Sequence, residues 1–183
     1  MSVLAMTMWQ LGEADRAREL IEQSIRRGSA LGHGLSMAHP LWWKSRLEIL
    51  RGDAAAALSA AEALQGFGRE HGLPFYRTVA ELSAAWARGR LYDAATGAED
   101  LRRTLANRVD QDLKFDAWFH TGLLAELEAV TLGAEPALAR IDEAIALARE
   151  VETRCDLAFP HILRGKLLAA SERMTEPIST GAE

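Results

Sequence analysis

The chain has 183 residues, 49% of them apolar and 26% charged, which suffices for one domain with a real core and excludes a wholly disordered chain. Its net charge of −5 is the reverse of the basic excess with which a nucleic-acid binder neutralises phosphates, so no direct nucleic-acid binding is expected. No segment approaches the ~18 consecutive apolar residues of a membrane span, and Met1–Gln10 lacks the basic region and long apolar stretch of a signal peptide, so the expected location is cytoplasmic with no membrane partner.

Alanine, leucine, glutamate and arginine dominate throughout, and no sustained period-2 alternation marks a strand. The predicted helices, in order, are 2–11, 14–31, 38–51, 54–71, 74–89, 92–107, 112–131, 135–151 and 158–171. Breakers separate most of them: Gly12, Gly32 with Gly34, Gly52 with Asp53, Gly72 with Pro74, Gly89, and Gly133 with Pro136. Pro40, Pro74, Pro136 and Pro160 are each expected in a first helical turn, where a missing N–H costs little. The stretch 172–183 is polar and is expected to be a disordered tail, leaving 1–171 as a single domain.

Four places share a glycine, a short turn and then small or apolar residues at i, i+4 and i+7, one face of a helix. They are Gly12 with Ala17, Ile21 and Ser24; Gly52 with Ala56, Ala60 and Ala63; Gly89 with Ala94, Ala98 and Leu101; and Gly133 with Ala137, Ile141 and Ala144. The first alanine recurs at 17, 56, 94 and 137, spacings of 39, 38 and 43 residues. Physically this is a helical hairpin: glycine turns the chain, and small side chains let the second helix approach the first. A lone hairpin leaves an apolar face open, so hairpins stack.

The segment Trp9-Gln10-Leu11-Gly12-Glu13-Ala14-Asp15-Arg16-Ala17, with Leu4, Ala5, Ile21 and Ser24, resembles a tetratricopeptide repeat (TPR). The later units are longer than that family's roughly 34 residues and lack its closing proline. Ser36-Met37-Ala38-His39-Pro40, Glu70-His71-Gly72-Leu73-Pro74-Phe75-Tyr76, Leu101-Arg102, Leu124-Ala125-Glu126, Ile141-Asp142-Glu143-Ala144 and Leu163-Arg164-Gly165-Lys166-Leu167-Leu168 look like the long-repeat region of certain bacterial multidomain regulators. In those, a class III nucleotide cyclase or a DNA-binding domain accompanies an AAA-like or NACHT-like ATPase, and a tetratricopeptide region often closes the chain. The resemblance implies an all-α fold, an α-solenoid of about four stacked antiparallel hairpins in a right-handed superhelix. It implies a sensor or interaction segment, none of the catalytic domains being represented. The short first helix predicts that the chain is the C-terminal part of a longer protein or split gene.

Candidate chemistry is sparse. The lone cysteine, Cys155, permits no internal disulfide or multi-thiolate metal site; it suits a reducing compartment and is read as a small residue near a helix start. His33, His39, His71, His120 and His161 form no i, i+4 pair; Asp116 and His120 have that spacing and are expected to make a surface ion pair rather than a metal site. Asp110, Asp112 and Asp116 lack the glycine and closing glutamate of a calcium loop and read as the cap and first turn of a helix. Gly66-Phe67-Gly68 has the wrong spacing for a phosphate loop and is expected to be a frayed or kinked helix end, and Gly165-Lys166 is no Walker motif. Ser24, Ser45, Ser59 and Ser83 are explained by close packing, and no nucleophile elbow occurs. No catalytic constellation, metal or cofactor is therefore expected.

The aromatic pairs Trp42-Trp43, Phe75-Tyr76 and Trp118-Phe119 sit early in first helices of successive hairpins. Neighbours on a helix point about 100° apart, so one ring of each pair is expected in the core. A groove anchor is sought at Trp42, Tyr76 and Trp118, with Arg46, Arg77 and Arg164 as polar neighbours, because aromatics and arginines carry much of the energy of protein contacts. The expected function is non-catalytic protein–protein interaction, with a protein or peptide partner in the groove or self-association through the repeat ends. The alternative is a small-molecule effector sensor that uses the concave pocket.

Overall fold

A computed structural model describes residues 1–109, 116–151 and 157–175, with side chains at 108–109 and 171–175 excepted. Among the described residues there are nine helices and no strand: α1 (Ser2–Gln10), α2 (Ala14–Leu31), α3 (Gly34–Leu50), α4 (Ala54–Glu70), α5 (Pro74–Leu91), α6 (Ala94–Val109), α7 (Ala117–Thr131), α8 (Ala134–Glu150) and α9 (Ala158–Thr175). No described helix is long and apolar enough to cross a membrane. Residues 110–115 and 152–156, and with them Asp110, Asp112 and Cys155, lie outside the described set, as does 176–183 of the expected tail.

The chain divides into two compact units, Met1–Thr104 and Leu105–Glu183. In the first, α1, α3 and α5 touch in succession, while α2 packs on α1 and α3 and α4 packs on α3 and α5. In the second, α8 packs on both α7 and α9, which also touch each other.

The repeat is regular at 40 residues. The second helices begin at Ala14, Ala54, Ala94 and Ala134, each 40 residues after the last. Small buried residues recur at Ala17, Ala57, Gly97 and Ala137, and one turn on Ile21, Ala61, Leu101 and Ile141 are buried as well, three of them large. The first helices bury Ala5, Ser45, Ala85 and Ala125 on the same period. Ala56 and Ala94, chosen from sequence as the packing alanines, are only half-buried. Adjacent alanines can each stand at the small position, which is why the spacings of 39, 38 and 43 depart from the 40-residue period of the buried set.

Gly12 and Gly52 take φ of +85° and +75°, which L side chains resist, and they make the turns expected of them. Gly89 does not. It is buried inside α5, and the turn behind it is made by Tyr92 and Asp93, whose Oδ2 accepts the Thr96 N–H at 2.9 Å. Asp53, 40 residues earlier, caps α4 in the same way through the Ala56 N–H at 3.0 Å. Gly66 and Gly68 likewise lie within α4 rather than at a frayed end.

Helix α3 starts four residues before its expected start, which puts Pro40 in the helix interior. Pro40 has no N–H to offer the Ser36 carbonyl one turn back. That carbonyl faces Gly28 of α2 so closely that a Cβ on Gly28 would stand 2.2 Å from it. The missing hydrogen bond and the missing side chain occur at one helix contact.

Candidate functional site

Helices α3 and α5 bring together the largest group of rings in the first unit. Trp42 is the hub. Its ring centroid lies 4.9 Å from that of Trp43, 5.5 Å from Phe75, 5.8 Å from His39 and 6.4 Å from Tyr76. Phe75 and Tyr76 meet edge to face at 5.1 Å. Trp42 is only 6% exposed and packs with Leu41, Leu64, Val79 and Ala80. His39, Trp43, Phe75 and Tyr76 are half-buried.

Polar atoms fix the rings. The Trp43 indole N–H donates to Nε2 of His39 at 3.1 Å, which requires a neutral imidazole with its proton on Nδ1. Burial, followed by the positive charge of the amino terminus, holds the His39 pKa below its ordinary value. Burial raises the Tyr76 hydroxyl, keeping it a neutral donor. The Arg46 guanidinium lies 5.6 Å from the Trp43 ring centroid, a cation–π contact from a side chain that is itself buried.

Of the six residues singled out from sequence, Trp42, Arg46 and Tyr76 share this cluster. Arg77 is exposed on α5, with its stem running over Gly68 of α4, where a Cβ would come within 3.0 Å of Arg77 Cγ. Trp118 and Arg164 belong to the second unit. Trp118 is 2% exposed and meets Phe119, which stacks on Phe159 with centroids 4.9 Å apart. Both rings of that pair are core, against the expectation of one, because nearly every residue from Trp118 to Glu128 is buried. Arg164 Nε donates to Asp142 Oδ1 at 2.8 Å, which raises its pKa above the ordinary guanidinium value. Trp43 and His39 are not among the anchors expected from sequence. Their signal was the spacing of His39, Trp43 and Arg46 at i, i+4 and i+7, one stripe of α3.

Asp116 and His120 are not a surface pair. Both are about fully buried, at 1% exposure, with His120 Nδ1 3.1 Å from the Asp116 carbonyl oxygen and 3.5 Å from its Oδ2. Asp116 precedes α7 at the cap position, although its side chain makes no cap hydrogen bond. His161 is exposed on α9. Among the described residues, no three His, Cys, Asp or Glu side chains group as metal ligands would. An open hollow along α2, lined by Asp15, Arg18, Glu19, Glu22, Gln23 and Arg26, carries mixed charge and no ring.

No family model matches the chain. No curated protein matches it either.

Proposed function

We propose that this protein is a non-catalytic interaction module, a TPR-like right-handed solenoid of about four antiparallel hairpins that binds a protein or peptide partner. Its setting is that of the resemblance, the C-terminal sensor or scaffold part of a larger bacterial signalling or transcription regulator in the cytoplasm. The reading includes self-association through the repeat ends.

The observation that carries this reading is the partly buried ring set His39, Trp43, Phe75 and Tyr76, seated on buried Trp42 with the buried Arg46 guanidinium against Trp43. Rings held by packing and hydrogen bonds lose little entropy when a partner covers them, and aromatic anchors of this kind are where binding energy concentrates. A partner helix or extended peptide carrying apolar side chains suits such a face, with a polar group meeting the Tyr76 hydroxyl.

The test is affinity capture from a bacterial lysate with the full chain and with a Trp43→Ala/Tyr76→Ala variant whose helicity matches by circular dichroism. A protein retained by the parent and lost by the variant supports the reading. Identical captures by both would contradict it.

A further inference from the structure

Trp43 is shared by two clusters. It packs on the core of the first hairpin, with Ala5, Met6, Leu20 and Ile21, and on the cluster that holds Trp42, Val79 and Ala80. Among the described residues one hydrogen bond holds its indole, the Nε1–H donating to Nε2 of His39 one turn back on α3. The two rings meet edge to face with centroids 6.0 Å apart, and His39 meets Trp42 in the same way at 5.8 Å.

That hydrogen bond exists in one protonation state only. The indole nitrogen donates and never accepts. Neutral His39 offers Nε2 as the acceptor, and a proton taken up there from water makes it a second donor, 3.1 Å from the first. Two donors cannot share that place, so the rings part and Trp43 loses the bond that fixes its rotation.

The surroundings do not replace the lost bond with an ion pair. Glu22 of α2 is held by Lys44 at 2.7 Å, and Glu81 of α5 meets the Gln65 amide of α4 at 3.5 Å. Tyr76 of α5 stays neutral, and the Arg46 guanidinium lies against the Trp43 ring. The charge that acts on His39 is the Met1 amino group ahead of α1; it opposes protonation, and burial opposes it more strongly.

We propose that His39 is a proton-operated latch on Trp43: neutral, it holds the indole between the two clusters, and protonated, it releases the indole and loosens the seam between the first hairpin and the α3–α5 rings. As a control on partner binding the latch rests on the function proposed above. As a movement of Trp43 it does not, so a measurement on the chain alone separates the two.

Nuclear magnetic resonance of the full chain tests it from about pH 7.5 to about pH 5, the span in which histidine titrates. A ring carbon–proton signal of His39 reports its protonation, and the indole N–H signal of Trp43, assigned by its loss in Trp43→Phe, reports the latch. The Trp43 signal should shift and exchange with solvent faster along the His39 titration curve, while the indole of Trp118, buried in the second unit, stays level. In His39→Gln, whose amide oxygen accepts but does not titrate, the Trp43 signal should stay level over the same range. A level Trp43 signal while His39 titrates overturns the proposal, as does a shift that persists in His39→Gln or a His39 that remains neutral until the whole chain unfolds.

Discussion

Gly97 of α6 rests on Gly89 of α5 so closely that a Cβ on Gly97 would stand 2.4 Å from the Gly89 Cα. The contact is backbone on backbone, so no side chain can swing aside to make room. Gly97 holds the same place in its repeat as Ala17, Ala57 and Ala137, which are fully buried. The other hairpins accommodate a methyl group there; this one does not.

The same substitution should therefore act in opposite directions at two glycines. Gly97→Ala gains helix propensity but forces α5 and α6 apart, a net loss of about 1–3 kcal/mol. Gly66→Ala in α4 meets open space and should stabilise by about 0.5–1 kcal/mol. Urea unfolding followed at 222 nm measures both.

Ser45 is fully buried, and its hydroxyl has no hydrogen-bond partner among the described residues. Its counterparts at 40-residue spacing are Ala5, Ala85 and Ala125. Ser45→Ala removes a buried unpaired hydroxyl while keeping the volume nearly constant, so stability should rise by about 1 kcal/mol. A fall in the unfolding midpoint would mean that the hydroxyl is bonded.

His39 sets a pH dependence. Its folded-state pKa lies below the ordinary 6.5, so the unfolded chain takes up the proton first as pH falls. The stabilisation from neutral His39 is complete above that ordinary value and is lost as pH drops from there through the lower folded value. Protonation also ends its role as acceptor for the Trp43 N–H. The melting temperature should fall between pH 7.5 and pH 5, and His39→Gln, which cannot titrate, should show a smaller fall. Equal falls would remove His39 from this account.

Glu128 is buried in the second unit and held by Arg140, whose Nε and Nη2 stand 3.1 and 3.5 Å from its two oxygens. Arg140 also reaches Glu143 at 2.6 Å on the exposed side. Arg140→Ala leaves the Glu128 carboxylate buried without its guanidinium and should cost about 1–3 kcal/mol. Glu143→Ala, which breaks only the exposed pair, should cost under about 1 kcal/mol. Chemical denaturation of the two variants side by side makes the comparison.

Helix class and order were legible in the sequence because period-3.6 packing and turn glycines act locally. The register of the repeat was not. Ala54-Ala55-Ala56-Ala57 offers four candidates for one small position, and only packing shows that Ala57 is the buried one. In the third repeat the roles are exchanged: Gly89 packs instead of turning, and Asp93 supplies the cap where glycine was sought. Pro40 misled the start of α3 because its tolerance depends on Gly28 of another helix.

Part of the ring cluster was legible too. Trp42, Tyr76 and Arg46 meet in the ring cluster, with Trp42 and Arg46 buried beneath it, and the division of labour between Trp42 and Trp43 depends on how α3 is rotated against α4 and α5. Local sequence carries no measure of that rotation. The burial of Trp118 and Phe119 together has the same origin, since α8 and α9 pack on α7.

The most direct measurement is photocrosslinking in cells from single benzoylphenylalanine residues placed at Trp43, Tyr76 and, as an outward control, Arg102. The account predicts a shared adduct of one partner mass from positions 43 and 76 and none from 102. Adducts of the same partner from all three positions, or from 102 alone, would contradict it.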